Sequence, residues 1–173
     1  HLTHFDRLQK DEGYAAGLEF SPAELWSSHS IKRFFRSFSF VRNRLFRKVL
    51  QQMFLWRLKI EKPSVIVLDM DTVVLDNNDA SRREGVSPTY KKKKGFQPFL
   101  VKWDRYIVDV VFRSGKKHSN HGDTVKNSLS HLVGLIRNVY SAEVPILVTC
   151  DSGFCDQKLF DFFEMELGLL YIC

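Results

Sequence analysis

A chain of 173 residues, 44% hydrophobic and 27% charged with 15 Phe, has the size and composition of one folded domain with or without a small appendage. That composition excludes a disordered or low-complexity protein. The net charge of +6 favours an anionic partner, and no apolar run approaches membrane-spanning length. There is no signal-peptide pattern, so no membrane partner is expected.

The charge is uneven. From Ile31 to Ile60 there are nine Lys or Arg and no Asp or Glu, whereas Ser141 to Cys173 holds six acids and one Lys. His1 to Phe20 is weakly periodic and reads as short helix or loop without chemistry. Ser21 can cap a helical turn with Pro22 at its first position. Ser27 to Ser30 is polar punctuation, with Ser30 as the next cap. Ile31, Phe34, Phe35 and Phe38 then recur at helical spacing until Ser37 and Ser39 interrupt. A second helix follows, its apolar face formed by Val41, Leu45, Phe46, Val49, Leu50, Met53 and Phe54. A run this basic is either a solvated helix face or a surface that meets phosphates. Its freedom from acids favours nucleic acid, with Lys32, Arg33, Arg36, Arg42, Arg44 and Arg47 as contacts.

Val65 to Asp76, V-I-V-L-D-M-D-T-V-V-L-D, is the stretch that carries chemistry. β-Branched residues and the preceding Pro63 predict one strand buried on both faces. Asp69 and Asp71, two apart, project from one face. Carboxylates beside an apolar core need a partner, and a divalent cation held by oxygen ligands is the expected one. A solvated strand end is the alternative.

Asn77 to Lys94 reads as a loop ending in the run Lys91, Lys92, Lys93 and Lys94. Beside the carboxylate strand, this run can hold DNA backbone. Phe96–Trp103 and Tyr106–Phe112 form a hairpin turned at Asp104-Arg105, and Arg113 to Lys116 closes it. His118 and His121 are better explained by a surface loop than by metal binding. Asp123 or Thr124 caps a helix over Val125 to Tyr140. Pro145 to Cys150 is a second apolar strand, and it delivers Asp151 into a Ser152-Gly153 turn. Asp156 opens a helix ended by Gly168, and Leu169 starts a last strand. Cys150, Cys155 and Cys173 lack zinc-like spacing and read as small core residues in a reducing compartment.

The order is helices, three strands, helix, strand, helix, strand: an α/β fold with a mixed sheet. Residues 1–62 form a helical, basic segment and 63–173 the sheet-bearing core. In such sheets, neighbouring strand ends can bring Asp71 and Asp151 together as a Mg²⁺-type site.

With these residues in view, the chain resembles the insertion-sequence transposases of the DDE type, whose catalytic core is retroviral-integrase (RNase H-like). The resemblance covers about residues 25 to 173. It rests on Leu68-Asp-Met-Asp-Thr72, Tyr90-Lys-Lys-Lys-Lys-Gly-Phe-Gln-Pro-Phe99, Arg113-x-Gly115 and Cys150-Asp-Ser-Gly-Phe154, in the order β-β-β-α-β-α-β. It implies metal-dependent phosphodiester cleavage and strand transfer. Asp71 and Asp151 would be catalytic metal ligands for two Mg²⁺ ions, with Mn²⁺ as substitute. It also implies DNA as partner, joined by Arg113 among the contacts, with a homodimer on DNA and no small-molecule cofactor. The location implied is the bacterial or archaeal cytoplasm, at the nucleoid. The family's third carboxylate, a Glu on a later helix, is not matched: Glu164 and Glu166 lie too close to Asp151. The chain starts without Met and stops inside an apolar run, so it reads as an incomplete core, inactive by itself.

Two alternatives remain open. Asp69-Met70-Asp71-Thr72-Val73 also fits the first motif of haloacid-dehalogenase-like phosphatases, with Asp69 as nucleophile, Asp71 as acid/base and Thr149 in a second motif. The other is a non-catalytic nucleic-acid-binding fragment.

Overall fold

A computed structural model describes residues 2–37, 40–78, 86–117, 119 and 122–173, without the side chains of 40–44. The chain divides into two compact units, 1–46 and 47–173. The first holds α1 (His4–Leu8), α2 (Glu12–Gly17) and α3 (Ser28–Arg36). The cap of α3 is Ser27, whose Oγ accepts from Ser30 N at 3.2 Å, so Ser30 lies inside the helix rather than at its cap. The turn at Ser21 closes as expected: Glu24 accepts from both the Ser21 amide and the Ser21 hydroxyl at 2.8 Å. Helix α4 (Phe40–Glu61) runs from the first unit into the second.

The second unit is built on a mixed sheet. Its strands are β1 (Ile66–Thr72), β5 (Phe99–Trp103), β6 (Tyr106–Val111), β7 (Ile146–Cys150) and β8 (Leu170–Ile172), in the order β6-β5-β1-β7-β8. β1, β5 and β6 pair antiparallel, as the Asp104-Arg105 hairpin requires. β7 joins β1 in parallel and β8 joins β7 in parallel. Each parallel pairing needs a crossover. These are α5 (Thr124–Val139) and α6 (Gln157–Asp161), the latter continued by a π-helical turn over Phe162–Glu166. Asp156 caps α6, accepting from Lys158 N and Leu159 N at 2.8 and 3.3 Å. Gly168 takes the left-handed conformation that ends the segment. The expected β-β-β-α-β-α-β order is present in this mixed sheet.

The opening strand departs from expectation twice. It is buried on one face: Ile66, Leu68 and Met70 are buried while Val65 and Val67 are exposed. The run also stops at Thr72. Leu75–Asp76 is a separate strand, β2, in a small sheet of order β2-β4-β3 with β3 (Ser87–Pro88) and β4 (Lys94–Phe96). Gly95 is required there, because a Cβ would lie 2.0 Å from the Leu75 carbonyl. Part of the expected loop from Asn77 to Lys94 is therefore strand.

One core joins Leu68, Met70, Val101, Val148, Phe154 and Leu159 with the buried face of α5 (Val125, Leu129, Leu132, Val133 and Ile136). Each fully buried Leu or Ile here contributes roughly 1.5–3 kcal/mol. The buried stripe of α4 is Gln51, Phe54, Leu55 and Leu58, not the face expected. Val49, Met53, Trp56 and Ile60 are exposed. The cause is Asp109, wholly buried on β6. A bulge between β5 and β6 pairs Asp109 with core-facing Val101. Arg47 Nη2 donates to it at 2.6 Å and Gln51 Nε2 at 3.3 Å; Arg47 Nε and Ser128 Oγ donate as well. Gln51 in turn meets His131 at 3.0 Å. The carboxylate therefore turns α4 about its axis to bring Arg47 and Gln51 inward. Among the described residues, no helix is long and apolar enough to cross a membrane.

Removing Arg47 strands a buried charge, whereas removing Asp109 leaves a guanidinium able to reach water. Arg47→Ala is expected to lower unfolding free energy by about 3–5 kcal/mol, and Asp109→Asn by clearly less. Urea midpoints measure both; an Arg47→Ala effect no larger than that of exposed Lys158→Ala would refute the account.

Candidate functional site

The site begins with strand alternation. Burying Leu68 and Met70 forces Asp69 and Asp71 to the opposite, open face of β1, as expected. The parallel register pairs Asp69 with Thr149 and Met70 with Cys150; Asp71 and Asp151 are the next residues on each side of that ladder. On the other side, the antiparallel register puts Lys102 opposite Asp69.

Asp69 accepts from Thr149 Oγ1 at 2.9 Å. Lys102 Nζ lies 2.9 Å from Asp69 Oδ2 and 3.4 Å from Asp71 Oδ2. One ammonium thus offsets half of the charge of the two Asp. The hydrogen bond to Asp69, with the nearby charges of both carboxylates, holds the Lys102 ammonium above its ordinary range despite some desolvation. The side chains of Asp69 and Asp71 are 44% and 40% exposed, so the pair is open to solvent and to a ligand. Asp151 is exposed, and its Oδ1 accepts from Gly153 N at 2.9 Å. Gly153 is dictated by crowding: a Cβ would sit 2.8 Å from Ser119 Oγ. Ser119 Oγ also lies 3.2 Å from Thr72 Oγ1. The loop after β6 therefore meets the ends of β1 and β7.

Arg113 organises that loop from inside. Its Nε donates to the Gln97 carbonyl at 3.1 Å and its Nη1 to the Ser119 carbonyl at 3.0 Å. The guanidinium centre lies 5.5 Å from the Phe99 ring centroid. The side chain is buried, its Nη2 has no hydrogen-bond partner, and desolvation pulls its pKa below the usual value.

The basic residues sort into groups. Lys32, Arg33 and Arg36 are exposed on α3, the two Arg in its last turn, where cations oppose the helix dipole. The side chains of Arg42 and Arg44 lie outside the described residues. Arg47 is engaged by Asp109. Lys91, Lys92 and Lys93 are exposed between β3 and β4, and Lys94 is exposed as the first residue of β4. Lys93 bonds Asp76 at 2.6 Å, and Lys91 approaches the Tyr90 ring. That bond holds the Lys93 ammonium above, and the Asp76 carboxyl below, its ordinary range.

His118 and His121 lie outside the described residues. Among the described residues, no group of three His, Cys, Asp or Glu is placed to hold a metal ion. Glu164 and Glu166 are exposed on the π-helical turn. Cys155 and Cys173 are exposed and Cys150 is half-buried, so they are not core residues.

Two residues of the site, Lys102 and Ser119, are not evident from sequence patterns alone. Lys102 does carry a signal: it alternates with buried Phe99, Val101 and Trp103 and so faces the same way as Asp69 once the hairpin is laid beside β1. Ser119 carries none.

The family described as "Transposase DDE domain group 1" matches residues 1–173. Among curated proteins, none matches the sequence. Solved structures with similarity include "Mos1 transposase paired-end complex with left transposon end" (12% identity, TM-score 0.42). Another is "Crystal structure of a pre-cleavage Mos1 transpososome" (14%, 0.38). In both, 96% of this chain is covered, and the chain spans 56% of the length of its counterpart.

Arg113→Ala is expected to leave two carbonyls without donors, costing about 1–3 kcal/mol. Arg113→Lys should not rescue it, because an ammonium lacks the planar fork that reaches both. Urea midpoints measure the cost; full rescue by Lys would contradict the geometry.

Proposed function

The chain belongs to the transposase DDE domain group 1 family, and on that footing we propose that its open sheet face is the front of a transposase active site. The observation that carries this reading is the parallel pairing of β1 with β7, which aligns the strand ends of Asp71 and Asp151. Asp71 and Asp151 would hold divalent cations of the Mg²⁺ kind, Mn²⁺ substituting. The donor chemistry fits: hard, exposed carboxylate oxygens at the C-terminal ends of two adjacent strands inside the sheet. Such ions, if held there by Asp71 and Asp151, would supply Lewis-acid activation of a water or a DNA 3′-hydroxyl for phosphodiester displacement. Cleavage and strand transfer of a mobile element are the activity proposed for the whole protein, acting on DNA as a homodimer.

The chain's own residues have separate duties. Asp69 is a supporting carboxylate, oriented by Thr149 and Lys102. Thr72, Ser119 and Gly153 fix the height of the two strand ends. Lys102 reduces the negative charge of the acidic face before a cation arrives. The basic stretch within residues 1–62, with Lys32, Arg33, Arg36, Arg42 and Arg44, and the turn bearing Lys91 to Lys94 contact DNA phosphates around the core of residues 63–173. Arg47 and Arg113 are assigned to the scaffold instead, since each spends its donors inside the fold. The phosphatase alternative is not retained: β1 has an antiparallel neighbour in β5, and the family model matched over the chain is a transposase one.

Calorimetry with Mn²⁺ tests the metal pair. Asp71→Asn and Asp151→Asn are each expected to weaken binding at least tenfold, and Lys102→Met to tighten it by removing a competing cation. If Asp151→Asn binds like wild type, the two strand ends do not share a site. For DNA, replacing Lys91, Lys92 and Lys94 by Ala should flatten the plot of log affinity against log salt by about 0.9 for each phosphate no longer neutralised. Fluorescence anisotropy on a short duplex reads that slope, and an unchanged slope would remove the lysine turn from the interface.

A further inference from the structure

We propose that Cys155 and Cys173 are a thiol modification site, closing to a reversible disulfide at the turn that carries Asp151. The sheet brings them together. β7 and β8 are parallel neighbours, so the turn after β7 and the residue after β8 emerge at the same end. Cys155 follows the 3₁₀ turn Ser152–Phe154, and Cys173 follows Ile172. Their sulfurs are 2.8 Å apart, and both residues are exposed. Cys173 Sγ is also 3.2 Å from the Asp151 carbonyl. Bridging them would therefore tie the backbone that presents Asp151 to the end of β8.

The third thiol is different. Cys150 is half-buried, and burial pushes its pKa up. Its sulfur reaches the Ile172 carbonyl at 3.8 Å. Cys155 and Cys173 are themselves held above the ordinary thiol range, the first by its contact with Cys173, the second by burial. Cys150 also meets Cys173, but it is half-buried and turned to the Ile172 carbonyl, so the 2.8 Å contact and the exposure of both residues, not acidity, select Cys155 and Cys173.

The oxidant is a low-molecular-weight disulfide such as oxidised glutathione. One thiol loses its proton and attacks a sulfur of the oxidant, expelling one glutathione thiolate and leaving a mixed disulfide. The second thiol, deprotonated, attacks the protein sulfur, the mixed S–S bond breaks, and a second glutathione leaves. Two protein thiols are oxidised and one glutathione disulfide is reduced to two thiols. Reduced glutathione reverses the sequence.

The test titrates the folded chain with glutathione redox buffers and counts thiols. The expected result is a fall from three reactive thiols in the denatured reduced protein to one, independent of protein concentration. Peptide mapping should join the segment holding Cys155 to that holding Cys173. Cys150→Ser should still form the bridge, and Cys155→Ser and Cys173→Ser should not. A bridge that includes Cys150, disulfides only between chains, or three free thiols at every buffer ratio would overturn the proposal. The wild-type map decides even if a Ser variant fails to fold. Amide exchange at Gly153 and Phe154 should slow on oxidation; unchanged exchange would overturn the coupling to the Asp151 turn.

Discussion

The parallel pairing of β1 with β7 is the constraint on which the rest depends. An antiparallel neighbour can arrive through a tight turn, as β6 follows β5 at Asp104-Arg105. A parallel neighbour cannot. The chain must leave the sheet at the end of β6, cross one face as α5, and return in β7 in the direction of β1. Three consequences follow from that path. α5 covers Leu68, Met70 and Val148 and completes the core. The opposite face, with Asp69 and Asp71, is left open. The chain segment between β6 and α5 must pass the ends of β1 and β7, which is where Ser119 meets Thr72 and Gly153.

Much of this is legible in the residues. The alternation of Leu68, Asp69, Met70 and Asp71 defines a strand and the shared face of its two acids. Asp104-Arg105 between two apolar runs defines the hairpin, and Asp156 and Gly168 bound a helical segment correctly. What escapes is whatever depends on partners distant in sequence. Val73 and Val74 look like more strand, and nothing local says that Leu75 will pair with Phe96 in another sheet. Asp109 sits inside Ile107–Phe112, where period-two reading assigns it no special face. A bulge alone turns it inward. Once it is inward, Arg47 ceases to be a surface cation, and the whole face of α4 changes with it.

Arg47 and Arg113 carry a related lesson about basic proteins. Positive charge along a helix or beside a lysine run reads as a surface for phosphates, and a high content of Lys and Arg encourages that. Yet an arginine has five donors in a fixed plane, and a fold can spend them on its own carbonyls and carboxylates. Arg113 does so on Gln97 and Ser119, with the Phe99 ring beside its plane. The net charge available to a polyanion is smaller than composition states; among the described residues, α3 and the segment of Lys91 to Lys94 are two places where exposed cations cluster.

The acidic face shows how a sheet can carry two carboxylates on one side of its central strand. Two carboxylates on adjacent same-face positions repel each other, and a bare pair would strain the central strand on which the core is built. Lys102 relieves this from the neighbouring strand at 2.9 and 3.4 Å. Because its side chain is partly exposed, the ammonium is not trapped. It can leave for water at modest cost when a more highly charged ion takes the same oxygens. The difference from Arg47 lies in the acid: Asp109 is wholly buried, whereas the Asp69 and Asp71 side chains are 44% and 40% exposed. The contrast between the two ion pairs separates their roles: a desolvated, multiply bonded carboxylate fixes α4 to the sheet, and a solvated, singly countered pair stays available for exchange.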